Sequence, residues 1–204
     1  IIHCMTSVIT GDIINSRNVS NQVWLQTLKT IFNEVNPGEI YRGDSFQLEV
    51  KNAVNSLFIA ILIKARLKKI KDIDVRMSIG IGARGFDSNI VREANGEAFI
   101  NSGFAFDKLL KKQNLAIKTP WDEIDAEVNI GLGLGLLIMD NWTQNSAEIV
   151  KLTLENKHIT QKEIAKKLSI SQSSASERRK RAGLDEIMKF EKRFRKIIDQ
   201  KITK

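Results

Sequence analysis

The chain has 204 residues, of which 42% are hydrophobic and 27% charged. This composition is typical of folded globular proteins and argues against disordered and fibrous classes. Its longest apolar run, residues 130–139, is about half the ~20 residues that a membrane helix needs. Cys4 is the only cysteine, so an intrachain disulfide is excluded. The N-terminus lacks the pattern of a signal peptide, so we expect a cytoplasmic protein that does not contact a membrane.

The charge is unevenly distributed. The 32 Lys and Arg residues outnumber the 24 Asp and Glu residues and give a net charge of +8, which permits a polyanionic partner. Residues 1–120 are net basic, residues 121–150 contain only acidic charges, and residues 151–204 are strongly basic. This asymmetry indicates separate modules. We predict a first domain over 1–120, a connecting helix over 121–143 and a helical domain over 144–204.

The first segment alternates strand and helix patterns. β-Branched runs and helical apolar spacing predict the order β-α-β-β-α-β-α-β, with strands near 7–14, 39–42, 45–50, 75–81 and 115–118 and helices after Ser20 and over 52–69 and 99–112. We therefore expect an α+β domain built on the ferredoxin-like unit.

That order predicts a candidate metal site. In a ferredoxin-like sheet the first strand and the second hairpin strand are antiparallel neighbours, which would bring Asp12 close to Asp44. Paired carboxylates are suitable ligands for Mg²⁺ or Mn²⁺. The backbone amides of Asn15, Ser16 and Arg17 follow Asp12 and would hold phosphate oxygens. The alternative is that these aspartates only form turns, where Asp and Gly are common for local reasons.

Three of these segments resemble signature elements of class III nucleotide cyclases: Asp12-Ile13, Gly43-Asp44 and the sequence RMSIGIG at residues 76–82. The resemblance covers roughly residues 5–118. It implies a palm-like domain in which Asp12, Asp44 and the Ile13 carbonyl bind divalent ions, and a homodimer. Arg42 and Ser45, which flank Gly43-Asp44, are assigned to the same nucleotide site.

A more specific resemblance, spanning almost the whole chain, is to the SatD-like family of bacterial proteins. It rests on VITGDIINSR (8–17), YRGDSFQLEV (41–50), RMSIGIG (76–82) and NGEAFINSG (95–103). The cyclase pattern is incomplete, because cyclases place a transition-state Asn and Arg where this chain has Ile100 and Phe104. We therefore assign no catalytic residue and expect nucleotide and metal binding rather than cyclisation.

The last segment has the pattern of a helix-turn-helix. Ser146 is predicted to cap a first helix, residues 160–163 form a capping box, and residues 169–171 break the chain before a helix that begins at Gln172 and ends near Gly183. Residues 160–183 resemble the helix-turn-helix of bacterial regulators. The predicted contacts to double-stranded DNA are Gln172, Ser173, Ser174, Ser176, Arg178, Arg179, Lys180 and Arg181. The alternative is a helical pair with a solvated basic face.

Three functions remain open from the sequence. The first is a cytoplasmic DNA-binding regulator whose degenerate cyclase-like domain senses a nucleotide with a divalent metal. The second is a metal-dependent nucleotidyl- or phosphoryl-transfer enzyme that uses Asp12 and Asp44. The third is a structural or partner-binding protein.

Overall fold

The computed structural model describes residues 5–41, 43–83 and 96–203. The strands in these ranges are β1 (Met5–Ile14), β2 (Gly38–Tyr41), β3 (Ser45–Val50), β4 (Asp74–Ala83) and β5 (Leu115–Lys118). The α-helices are α1 (Asn21–Val35), α2 (Ser56–Lys68), α3 (Glu97–Asp107), α4 (Asp122–Met139), α5 (Gln144–Glu155), α6 (Gln161–Lys167), α7 (Gln172–Arg181) and α8 (Leu184–Ile202). Short 3₁₀ turns cover Ser16–Asn18 and Ala53–Asn55.

The strands form one mixed sheet in the order β2-β3-β1-β4-β5. All neighbours are antiparallel except β4 and β5, which are parallel. The predicted α+β class is therefore confirmed. The first strand also pairs with the second hairpin strand, as expected, and its register places Asp12 opposite Ser45.

The two faces of the sheet differ in chemistry. One face of the sheet presents aliphatic residues such as Ile9 and Ile79 to the main hydrophobic core. Apolar side chains of α2 belong to the same core. On the other face, under α3, polar groups are paired with the helix: Thr10 Oγ1 lies 3.0 Å from Ser102 Oγ, and Ser78 Oγ donates to Ser102 O at 2.7 Å. The alternation along each strand explains this division.

The C-terminal helices continue the core. Helix α5 packs against α2, while Leu184, Phe194 and Ile198 of α8 are buried in the same cluster as the sheet. The predicted cap of α5 is wrong: Thr143, not Ser146, occupies the cap position, and its side chain accepts a hydrogen bond from Ser146 N at 3.2 Å. The helix therefore begins two residues before Ser146. Among the described helices, none is long and apolar enough to cross a membrane.

Gly80 makes the close approach of α3 to β4 possible. A Cβ at Gly80 would lie 2.2 Å from both Ala98 O and Ser102 N, which are backbone atoms of α3, whereas a Cβ at Gly103 of α3 would have no atom within 4 Å.

We expect Gly80→Ala to destabilise the protein by about 3 kcal/mol or more through overpacking. Gly103→Ala, the matched control, should be neutral or stabilise by up to about 1 kcal/mol. Urea denaturation of both variants tests this, and equal effects would contradict it.

Candidate functional site

The end of β1 and the hairpin turn between β2 and β3 meet as predicted. Ile13 N donates a hydrogen bond to Asp44 O at 3.2 Å, and Asp12 lies opposite Ser45 in the sheet. The main chains that carry the two aspartates are therefore neighbours, although 32 positions separate them in sequence.

The Asp12 carboxylate is held by a cation that sequence reasoning missed. Arg76 Nη2 lies 3.0 Å from Asp12 Oδ2, and its Nε donates to Oδ1 at 3.4 Å. The same guanidinium lies 4.9 Å from the centroid of the Phe106 ring. Both side chains of the pair are about one-third exposed, so the pair is accessible from solvent.

Asp44 has a different partner. Ser16 Oγ donates to Asp44 Oδ2 at 2.5 Å, so Ser16 contacts the predicted metal ligand through its hydroxyl group. Asn15 adopts a left-handed conformation with φ 62°, and its side-chain amide donates to Asp72 O at 3.1 Å. Arg17 is exposed beside it. These contacts fix the turn that follows β1.

Two further residues, Ser45 and Arg42, are predicted to contact the nucleotide. Ser45 is half-buried at the start of β3, and Arg42 lies outside the described residues. Within the described ranges no cluster of three or more His, Cys, Asp or Glu side chains could hold a metal. The metal site predicted from the sequence therefore consists of two carboxylates and the Ile13 carbonyl alone. Hard oxygen donors of this kind suit Mg²⁺ or Mn²⁺, but an ion at Asp12 must compete with Arg76.

The positions that correspond to the cyclase transition-state residues are apolar and exposed. Ile100 is 71% exposed and Phe104 46% exposed on α3. Asn101 does not replace the missing asparagine, because its side-chain amide donates to Ile81 O at 2.7 Å. The ammonium of Lys108 lies over the Phe104 ring, 4.0 Å from its centroid.

The second group of predicted residues lies on α6 and α7. The capping box at the start of α6 is confirmed: Glu163 N donates to Thr160 Oγ1 at 3.2 Å, and Thr160 N donates to Glu163 Oε2 at 2.7 Å. The second of these hydrogen bonds stabilises the charged carboxylate and lowers the pKa of Glu163. The box therefore fixes the first turn of α6.

Small residues let α6 and α7 approach each other. Ala165 and Ala175 are buried together with Ile149 of α5. The connection between the helices is short, and Ile170 N closes it by donating to Ala165 O at 3.0 Å. Ser169 allows the reversal by adopting a positive φ of 52°, a conformation that is uncommon for a residue other than glycine.

The N-terminal half of α7 presents polar side chains to solvent. Gln172, Ser173, Ser174 and Ser176 are all exposed. Ser174 is not free, because Ser171 caps the helix: Ser171 Oγ accepts from Ser174 N at 3.1 Å and donates to Ser174 Oγ at 2.9 Å. Ser171 is a cap that sequence reasoning missed, although its position just before the helix is characteristic.

The basic cluster at the end of α7, residues 178–181, consists of two residues that bind neighbouring side chains and two that do not. Arg178 donates to Asn145 Oδ1 at 3.0 Å, and Arg179 Nη2 lies 2.5 Å from Asp185 Oδ1. Lys180 and Arg181 are exposed and form no ion pair with other described residues. Within the described chain, the cations of this cluster that remain open to a partner are therefore the last two.

A comparison with known protein families identifies the family of this chain. Residues 6–198 match the SatD family. The chain belongs to the SatD family. No curated protein matches it. The family match covers both the sheet with Asp12 and Asp44 and the helices α5, α6 and α7, so both candidate sites lie inside the SatD region.

The contact between Arg76 and Asp12 in this SatD-family chain leads to a prediction about metal binding. Because Arg76 competes with a cation for Asp12, Arg76→Gln should tighten Mn²⁺ binding by about two- to fivefold, as expected for a partly exposed ion pair worth up to about 1 kcal/mol. Asp12→Asn should abolish binding. Electron paramagnetic resonance of free Mn²⁺ measures this, with Lys29→Gln, which removes an exposed charge on α1, as the control. Unchanged binding by Asp12→Asn would contradict the assignment.

Proposed function

We propose that the chain is a cytoplasmic DNA-binding regulator. Its residues 1–120 would form a cyclase-like palm that binds a nucleotide with Mg²⁺ or Mn²⁺. Residues 144–204 would form a helix-turn-helix domain that binds double-stranded DNA, and residues 121–143 would connect the two. Gene regulation follows if the nucleotide changes the affinity for DNA.

The palm assignment is supported by the order of the strands. The order β2-β3-β1-β4 with antiparallel neighbours is the arrangement expected of a ferredoxin-like unit, and β5 extends it. The metal ligands would be Asp12, Asp44 and the Ile13 carbonyl. The nucleotide would be held by five residues: Asn15, Ser16, Arg17, Arg42 and Ser45. Bound Mg²⁺ would neutralise the phosphate charge.

The observation that carries the proposal is the chemistry of α7. One side of this helix packs through Ala175, while the other exposes Gln172, Ser173 and Ser176 near its N-terminus. In a helix-turn-helix, the N-terminal residues of the second helix contact base edges. Gln pairs bidentately with adenine, whereas Ser hydroxyls discriminate more weakly between bases.

Phosphate contacts would come from cations around this helix. Lys180 and Arg181 lie in its last turn, and Lys166 and Lys167 of α6 are also exposed. None of the four forms an ion pair with described residues. Such contacts position a protein on DNA and make its affinity salt-dependent. Because Arg178 and Arg179 are bound by Asn145 and Asp185, we expect smaller contributions from them.

The double variant Lys180→Gln/Arg181→Gln tests this proposal. We expect it to weaken binding to duplex DNA and to reduce the slope of log affinity against log salt by about 2, because two phosphates are no longer neutralised by the protein. The matched control is Lys111→Gln/Lys112→Gln, which removes two adjacent exposed charges after α3. Fluorescence anisotropy with labelled duplex DNA measures both. Equal weakening in the two variants, or no wild-type binding at low salt, would contradict the proposal.

A further inference from the structure

Helix α4 exposes an apolar face that nothing in the described chain covers. No charged residue occurs between positions 128 and 139. Val128, Leu132 and Leu136 are buried on the inner side. Ile130, Leu134 and Leu137 on the outer side are 68%, 64% and 70% exposed. A helix that is apolar on all sides is normally buried, and a contiguous exposed apolar row marks an interaction site.

The glycines of α4 separate internal from external packing. A Cβ at Gly131 would lie 2.3 Å from the Phe190 ring of α8, so packing inside the chain requires that glycine. At Gly133 a Cβ would meet no atom within 4 Å. Gly133 therefore weakens the helix without serving any contact within the described chain. It leaves a notch in the middle of the exposed row, beside Leu134.

An apolar groove runs beside this row. It lies between α4 and α8 and has a volume of about 240 Å³. Gly131 and Gly135 form one wall, Phe190 the other, and Leu57 and Ile61 of α2 contribute to its lining. The groove offers room for an aliphatic side chain from outside. The surface therefore combines a row of projecting aliphatic side chains with a groove that can accept such side chains from a partner.

We infer that α4 pairs with α4 of a second copy of this chain in an antiparallel arrangement, with the two-fold axis beside Gly133. The row is symmetric about that point: Ile130 of one copy faces Leu137 of the other, and Leu134 faces the notch at Gly133. A two-fold interface requires this self-complementarity. The centre of a protein interface is also depleted of charge, as this face is.

Charge does not oppose the pairing. The acidic N-terminal half of α4 is largely neutralised within the chain. Glu123 pairs with Lys201 at 2.7 Å and Glu127 with Arg193 at 3.1 Å, while Asp122 and Asp125 share Lys118. A second copy therefore meets few uncompensated charges. By contrast, the equally exposed Ile100 on α3 lies outside this charge-free row.

Pairing through α4 would also bring two copies of α7 into one dimer for two-fold binding to DNA, and this step rests on the proposed function. Trp142, just after α4, donates to Ala182 O at the end of α7 at 2.8 Å. Pairing through α4 would therefore place the two α7 helices beyond opposite ends of the α4 pair, related by the two-fold axis. Dimers that carry a helix-turn-helix contact two half-sites on DNA, which are ~34 Å apart.

The size of the surface predicts the strength of the dimer. The charge-free stretch 128–139 is ~18 Å long and ~10 Å wide, which is roughly a quarter of the ~800 Å² per partner in a standard interface. An interface this small predicts a weak dimer that forms only at high protein concentration. DNA with two half-sites would then strengthen it.

Sedimentation velocity of the full chain without DNA or nucleotide tests the inference. We expect a shift from the 23.1 kDa monomer to the dimer over a range of protein concentrations. Leu134→Lys should weaken dimerisation by roughly 30-fold or more, as at an interface hot spot. Ile100→Lys is the control and should have no effect. Because both residues are exposed, their circular dichroism melts should match the wild type.

Cross-linking provides the second measurement. Gly133→Cys in a Cys4→Ser background should form a disulfide-linked dimer on oxidation, because a disulfide requires Cα atoms within about 7 Å. Ile100→Cys in the same background should not. A wild type that stays monomeric at high concentration, a Leu134→Lys variant that dimerises normally, or an Ile100→Lys variant that dissociates would overturn the inference. None of these outcomes depends on DNA binding, so they leave the proposed function to its own test.

Discussion

The buried ammonium of Lys64 is the charge on which the arrangement of helix α2 depends. Lys64 is fully buried. It donates a hydrogen bond to Asp74 Oδ1 of β4 at 2.8 Å and lies 2.7 Å from Asp140 Oδ1 at the end of α4, in an ion pair. Removing one partner of a buried ion pair typically costs about 3–5 kcal/mol, because it leaves an uncompensated charge. Lys64 therefore fixes α2 relative to both the sheet and α4.

The same helix links the two candidate sites. Arg66 of α2 pairs with Glu155 of α5 at 2.7 Å, and Lys69, just after α2, pairs with Glu148 of α5 at 2.8 Å. On the opposite side, β4 carries Asp74 and, two residues later, the Arg76 that holds Asp12. A ligand bound at Asp12 would therefore contact strand β4 through Arg76. Strand β4 is bound to α2, and α2 is bound to α5 through these ion pairs. This continuous set of contacts is what a sensing role would use.

Local pattern predicted much of the fold, because strand alternation, capping and turn residues act over a few positions. The proximity of Asp12 and Asp44 also followed, since strand order fixes main-chain neighbours. The partner of Asp12 did not follow, because contact with Arg76 depends on the register of β1 against β4. Likewise, Arg179 meets Asp185 only because the chain reverses at Gly183. The burial of Lys64 could not be predicted either, because it is set by the helices packed around it.

A regulator that senses a nucleotide must couple its nucleotide site to its DNA-binding site. The most direct test of this coupling is the affinity for duplex DNA, measured by fluorescence anisotropy with and without ATP or GTP and Mg²⁺, for the wild type and Asp12→Asn. We expect at least one nucleotide to change the wild-type affinity by about fivefold or more, the usual range of coupling between sites. Asp12→Asn should bind DNA but lose this response. Nucleotide binding detected by calorimetry without any change in DNA affinity would contradict the proposed sensing role.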